Sequence, residues 1–228
     1  MIQTDQILYS DQPHTGASAV AAALMALSGA QALSGATHRG HPSQPSAGRL
    51  RALCVRDPWS WHIAHYRAWL NPDGSPSDRL TAWGIVEHDD PIEQMRAGIR
   101  LLVRPDRNHR VHVGSWPGMV SAPADCRRLR CGLLSWVWRQ ATQATPARPM
   151  GLAEAVLDAT RALPAVLALA DHLGATLEDL PQTTTDSEDA RALLGEDLSA
   201  LIEKREAIVV SAWRMVSEAP RGLWLLSE

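Results

Sequence analysis

The stretch "RLRALCVRDPWSWHIAHYRAWL", residues 49–70, changes its periodicity halfway along. In the first half Leu50, Leu53 and Val55 sit among basic residues, and the run ends ahead of Pro58, which pushes the residue before it toward extended backbone. That half reads as a strand. In the second half Trp59, Ile63, Tyr66 and Leu70 fall on one stripe at helical spacing, with Pro58 suited to a first helical turn. A strand that feeds a helix makes this region mixed α/β. The stripe is expected to be buried, which leaves Trp61, His62, His65 and Trp69 as the helix's remaining faces, partly at the surface.

Working outward, "QILYS" (6–10) suits a strand, and the Ala/Leu-rich run after it suits a helix closed by Gly35. Residues 38–48 and 71–78 are turn-rich connections. "LTAWGIVEH" (80–88) reads as a strand and "DPIEQMRAG" (90–98) as a short helix. "IRLLVRP" and "HRVHVGSW" around "DRN" resemble a β-hairpin. From Asp125 the pattern turns helical: one helix through Thr142, one split near Pro164, and a long one after Ser187 or Asp186. The long one has Leu194, Leu198, Leu201, Ile208, Ala212 and Met215 at three-to-four spacing. The expected class is α+β, a mixed α/β part with a short antiparallel sheet followed by an α-helical C-terminal bundle. The expected domains are residues 1–147, basic and mixed α/β, and 148–228, acidic and helical.

With 228 residues and 45% apolar content the chain is long enough to bury a core, and it does not read as disordered. Its three cysteines, Cys54, Cys126 and Cys131, make no C-x-x-C pair and no disulfide framework, which fits a reducing, cytoplasmic setting. Residues 12–37 lack Asp, Glu, Lys and Arg, but nothing basic precedes them and polar residues dilute them, so neither a leader nor a membrane span is expected. The net charge of -3 conceals a division. Residues 37–150 carry 16 arginines against 9 acids, whereas 151–228 carry 6 bases against 14 acids.

Among chemistry-bearing patterns, His38/His41, His62/His65 and His109/His112 show H-x-x-H spacing. Only the second pair falls on an expected helix, where residues three apart share a face, and it lacks the Glu and the further ligand of a zinc motif. No metal and no cofactor is expected. "EHDD" (87–90) at a strand end places His88, Asp89 and Asp90 where acids hold a divalent ion for phosphodiester chemistry, a metal-dependent phosphodiesterase or nuclease reading. The competing reading, which we favour, is that Asp89 or Asp90 caps the helix beginning at Pro91. No Gly-x-Ser-x-Gly, Walker or dinucleotide-binding glycine pattern is present. "PHTGAS" (13–18), ahead of the first helix, offers backbone amides to an anion on the strength of a single glycine.

The basic stretches carry the functional expectation. Arg49, Arg51, Arg56, Arg100, Arg104, Arg107, Arg110, Arg127, Arg128 and Arg130 supply phosphate contacts, and Trp61 and Trp69 supply stacking surfaces, a combination suited to nucleic acid. The expected function is a non-enzymatic DNA- or RNA-binding subunit of a bacterial nucleoprotein complex, its acidic helices meeting other protein subunits. A helical protein–protein adaptor is a further alternative. Over about a dozen residues "LRALCVRDPWSWHI" resembles the opening of an ASCH domain, whose first strand and helix run apolar-x-apolar-Arg-x-Pro-Trp. That resemblance implies a PUA-like barrel and an association with RNA. Where that family has a Lys and a Glu at its pocket this chain has "HYRAWLNPDG", and no site residue is carried over.

Overall fold

A computed structural model of the chain describes residues 2–10, 17–27, 30–32, 48–82, 87–103, 130–175 and 189–226. In chain order the elements are β1 (Ile2–Gln3), β2 (Ile7–Ser10), α1 (Ala17–Met25), β3 (Gln31–Ala32), β4 (Leu50–Val55), α2 (Pro58–Arg67), α3 (Asp78–Ala82) and α4 (Pro91–Val103). They continue with α5 (Leu133–Thr142), β5 (Ala155–Asp158), α6 (Ala162–Leu173), α7 (Ala190–Leu194), α8 (Glu196–Arg205), α9 (Ala207–Glu218) and β6 (Leu223–Leu225). The class is α+β, as expected. Among the described residues no helix is long and apolar enough to cross a membrane.

The chain divides into two compact units, Met1–Asp57 with Val137–Ser187 and Ile208–Glu228, and Pro58–Trp136 with Glu188–Ala207. The expected boundary at 147/148 does not coincide with this division. Residues on both sides of it build one sheet, because β5 pairs with β4.

That sheet, in the first unit, has the order β3-β1-β2-β4-β5-β6. Its centre is parallel, β2 with β4 and β4 with β5, and its flanks are antiparallel. The short antiparallel sheet and the barrel implied by the ASCH resemblance are both corrected here: β4 has parallel partners on both sides within an open sheet. Parallel strands are covered on both faces, so they read as continuous apolar runs. Ile7, Tyr9, Ala52, Cys54, Ala155 and Leu157 alternate onto one face and join Val20, Leu24, Val166 and Leu169 of α1 and α6 in one core. The Tyr9 hydroxyl donates to Cys54 Sγ at 3.0 Å across β2 and β4. The alanines of both helices leave no bulk between helix and sheet. Pro164 stands in the first turn of α6, where no intrahelical N–H is lost, and Gly174 in the left-handed region (φ 64°) ends it.

In the second unit α2 packs on α4, α7 and α8. Trp59 is the hub of these contacts. Its Nε1 donates to the Ser199 carbonyl at 3.1 Å, and the Arg191 guanidinium lies 3.7 Å over its ring.

Several local expectations are corrected. The first helix stops at Met25, and Gln31–Ala32 is a strand on β1, not helix up to Gly35. Residues 80–82, expected as strand, are the end of α3, and "IRLLV", expected as one arm of a hairpin, is the end of α4. Arg130–Gly132 precede α5 and are not helical. "AVLD", expected inside a helix, is the buried strand β5. The long C-terminal helix is three helices, parted at Gly195 and Glu206 and followed by a strand. Of its stripe Leu194, Leu198, Ile208 and Ala212 are buried, whereas Met215 is exposed. The expected cap at Asp186 or Ser187 lies outside the described residues; Asp189 caps α7.

Candidate functional site

The parallel strands at the centre of the sheet end on one edge, β4 and β5 together and β2 two residues short of them. Ser10 closes β2 opposite Leu53, Val55 closes β4 opposite Asp158, and Arg56 is the residue after Val55. The carboxyl ends of β2, β4 and β5 therefore open on the same side, with an arginine beside the middle strand. Asp158 is buried and accepts at Oδ1 from the Thr160 N–H (2.9 Å) and hydroxyl (2.6 Å), and at Oδ2 from Arg161 Nε (2.9 Å). Arg161 Nη2 in turn donates to the carbonyls of Val216 and Ser217 at the end of α9. Gly222 closes over this knot, where a Cβ would stand 2.9 Å from Asp158 Cβ. The Asp158 carboxylate is thus committed to shaping the edge, and Arg56 follows the end of the middle strand.

A second polar cluster is wholly interior. Glu206, at the junction of α8 and α9, and His62 of α2 are both at 0% exposure, with His62 Nε2 3.1 Å from Glu206 Oε1. The same carboxylate accepts from the N–H groups of Leu134 (3.2 Å) and Ser135 (2.6 Å) in the first turn of α5. A carboxylate fits there because the first N–H groups of a helix have no intrahelical acceptor and carry partial positive charge. Gly132 makes the approach feasible, since a Cβ there would overlap Glu206 Oε1. This carboxylate holds together three chain segments of the second unit.

The tryptophans proposed for stacking are corrected. Trp61 is fully buried and Trp69 is 8% exposed. The i, i+4, i+8 spacing stacks Trp61 on His65 (centroids 4.6 Å apart, 9° between planes) and His65 against Trp69 (4.7 Å). Their ring faces are spent on one another inside the unit. His62 and His65, expected half-exposed, are likewise buried. His62 Nε2 meets Glu206 inside the unit, and the His65 ring is buried between Trp61 and Trp69.

Of the arginines, Arg49 and Arg51 flank the start of β4 and Arg56 follows its end; all three are half-buried. Seven residues of extended chain at about 3.3 Å each separate Arg49 from Arg56 by roughly 20 Å, so the two do not share an edge. The Arg51 N–H donates to the Glu154 carboxylate at 2.7 Å. Arg100 and Arg130 are exposed in the second unit, Arg130 with φ 52°. Arg104, Arg107, Arg110, Arg127 and Arg128 lie outside the described residues, as do the pairs His38/His41 and His109/His112.

At the acidic segment the cap reading holds. Asp90 Oδ1 accepts from the Ile92 N–H at 2.8 Å, and His88 Nδ1 accepts from the Asp90 N–H at 3.0 Å. Among the described residues no three His, Cys, Asp or Glu side chains converge as a metal site would require. The Asp90 carboxylate is engaged at the start of α4, the role expected of a cap. Near this segment Gln94 joins two elements: its Oε1 accepts from the His88 N–H, and its Nε2 donates to the Tyr66 hydroxyl at 3.1 Å. Burial of Tyr66 raises its hydroxyl above the ordinary tyrosine range, and the Gln94 contact offsets part of that rise.

Glu206 belonged to no candidate set. In the sequence it is one acid ahead of an apolar run, and its only signal is Gly132, a small residue just before a helix that begins without a Ser, Thr, Asn or Asp cap. No family model, no curated protein and no solved structure matches this chain.

Proposed function

We propose that this chain binds a small phosphorylated molecule of the nucleotide kind at the carboxyl edge of β2, β4 and β5, with Arg56 as its phosphate contact. The observation that carries the reading is that three parallel strands end on one edge with Arg56 after the central one. In open α/β sheets the crevice beyond the carboxyl ends of the strands is where ligands bind, since the loops that face it are free to vary while the strands hold them rigid. A guanidinium suits a phosphate because its planar fork matches two oxygens at once.

Nucleic-acid binding uses the same phosphate chemistry, but two observations favour a small ligand over a polymer. Arg49 and Arg56 stand at opposite ends of β4, and Trp61 and Trp69 are interior. Titration of the full chain with ADP, pyrophosphate, adenosine and a single-stranded oligonucleotide tests the reading. Saturable binding of ADP, displaced by pyrophosphate and not matched by adenosine, is the expected result. Binding of the oligonucleotide alone, weakening steeply with salt, replaces the reading with the nucleic-acid one. Binding of none of the four overturns it.

A further inference from the structure

The second unit carries a groove of about 490 Å³ lined by Arg100, Asp197, Leu198, Ala200, Leu201 and Lys204. Small-molecule sites commonly fall in this size range, about 300–1,000 Å³. Its walls are two helices. Asp197, Leu201 and Lys204 recur on one face of α8 at spacings of four and three, and Arg100 faces them from the last turn of α4. Leu198 is buried and Leu201 half-buried, which makes the floor apolar.

The charges at the rim are unspent. Among the described residues Arg100, Lys204 and Asp197 are exposed and form neither ion pairs nor side-chain hydrogen bonds, although Arg100 and Asp197 line the same groove. Two cations and one acid leave a net single positive charge over an apolar floor. That lining complements an occupant with one negative charge and an apolar body, and it disfavours a cation.

We infer that this groove binds a small organic monoanion, its carboxylate between Arg100 and Lys204 and its hydrocarbon on Leu198 and Leu201. Asp197 at the other end of the α8 face repels a second negative charge and so selects monoanions over dianions. The groove belongs to the second unit, whereas the strand edge with Arg56 belongs to the first.

The test is a titration of the full chain with octanoate, followed by NMR of the leucine methyls, alongside octylamine (same body, opposite charge), acetate (same charge, no body) and octanedioate (a second charge). Octanoate is expected to saturate with a dissociation constant on the order of 1 mM, while each of the other three binds at least about tenfold more weakly, a difference of roughly 1.4 kcal/mol. The surface double variant Arg100→Glu with Lys204→Glu, folded by circular dichroism, is expected to lose octanoate and gain octylamine. Equal binding of octanoate and octylamine, octanoate binding undiminished in the double variant, or no saturable octanoate binding overturns the proposal.

Discussion

The Glu206 carboxylate meets the His62 imidazole at 3.1 Å with neither side chain exposed, and it caps the first turn of α5 with its remaining acceptor capacity. Removing one partner from such a cluster strands the others without water to replace it. Glu206→Ala leaves two helix N–H groups without an acceptor and His62 Nε2 without its partner, and it is expected to lower unfolding free energy by about 3–5 kcal/mol. Glu206→Gln keeps one acceptor oxygen and is expected to cost less than the alanine variant. Urea denaturation measures both; an alanine variant as stable as the wild type means the cluster does not hold the second unit together.

Two glycines are predicted to resist enlargement for reasons of space alone. A Cβ at Gly132 overlaps Glu206 Oε1, and one at Gly98 overlaps the Tyr66 ring at Cε2. Gly132→Ala and Gly98→Ala are each expected to destabilise by about 1–3 kcal/mol, the usual range for overpacking, despite alanine's better helix propensity at position 98. Thermal melts of the two variants check this. A gain in stability at either position contradicts the close approach.

Tyr66 supplies a pH dependence. Its folded hydroxyl titrates above the unfolded value near 10, chiefly because burial disfavours the phenolate. A raised value means the contribution is complete below about pH 10 and is lost as pH rises through the folded value. Stability is therefore expected to fall on the alkaline side of pH 10, and Tyr66→Phe to flatten that fall. The comparison is of unfolding free energies of the two proteins between pH 8 and pH 11; parallel curves would refute it.

Asp90 is assigned to a helix cap, not to metal chemistry. Asp90→Ala is expected to cost about 1 kcal/mol through loss of the contact to the Ile92 N–H, whereas Asp90→Ser or Asp90→Asn recovers most of it. Recovery by serine is the discriminating observation, because serine caps a helix but does not replace a carboxylate at a divalent ion. Manganese-dependent phosphodiesterase activity that disappears in the serine variant would reverse the assignment.

The strand-to-helix step at 49–70 was legible because both periodicities are strong: β4 and α2 lie where alternation and the Trp59/Ile63/Tyr66 stripe place them. "AVLD" was not, because a strand buried on both faces shows no alternation, and only the short Asp158–Arg161 segment separates its apolar run from that of α6. "IRLLV" misled in the opposite sense. Its apolar residues suit a strand, yet Ile99 and Val103 are four apart and form the buried stripe of α4. The Asp90 cap was readable from Asp-Pro, a local signal. The Glu206–His62 pair was not, since it joins residues 144 positions apart that no local pattern connects. Arg56 was among the arginines singled out, but its place at the end of a parallel strand, and its separation from Arg49, required the sheet.

Calorimetric titration of ADP into the wild type and into Arg56→Ala decides whether the proposed phosphate contact lies where β2, β4 and β5 end. Saturable binding to the wild type and a loss of about tenfold or more in the variant, the scale of one charge-assisted contact, are the expected outcome. Equal affinity of the two proteins for ADP, or no heat of binding to either, would contradict it.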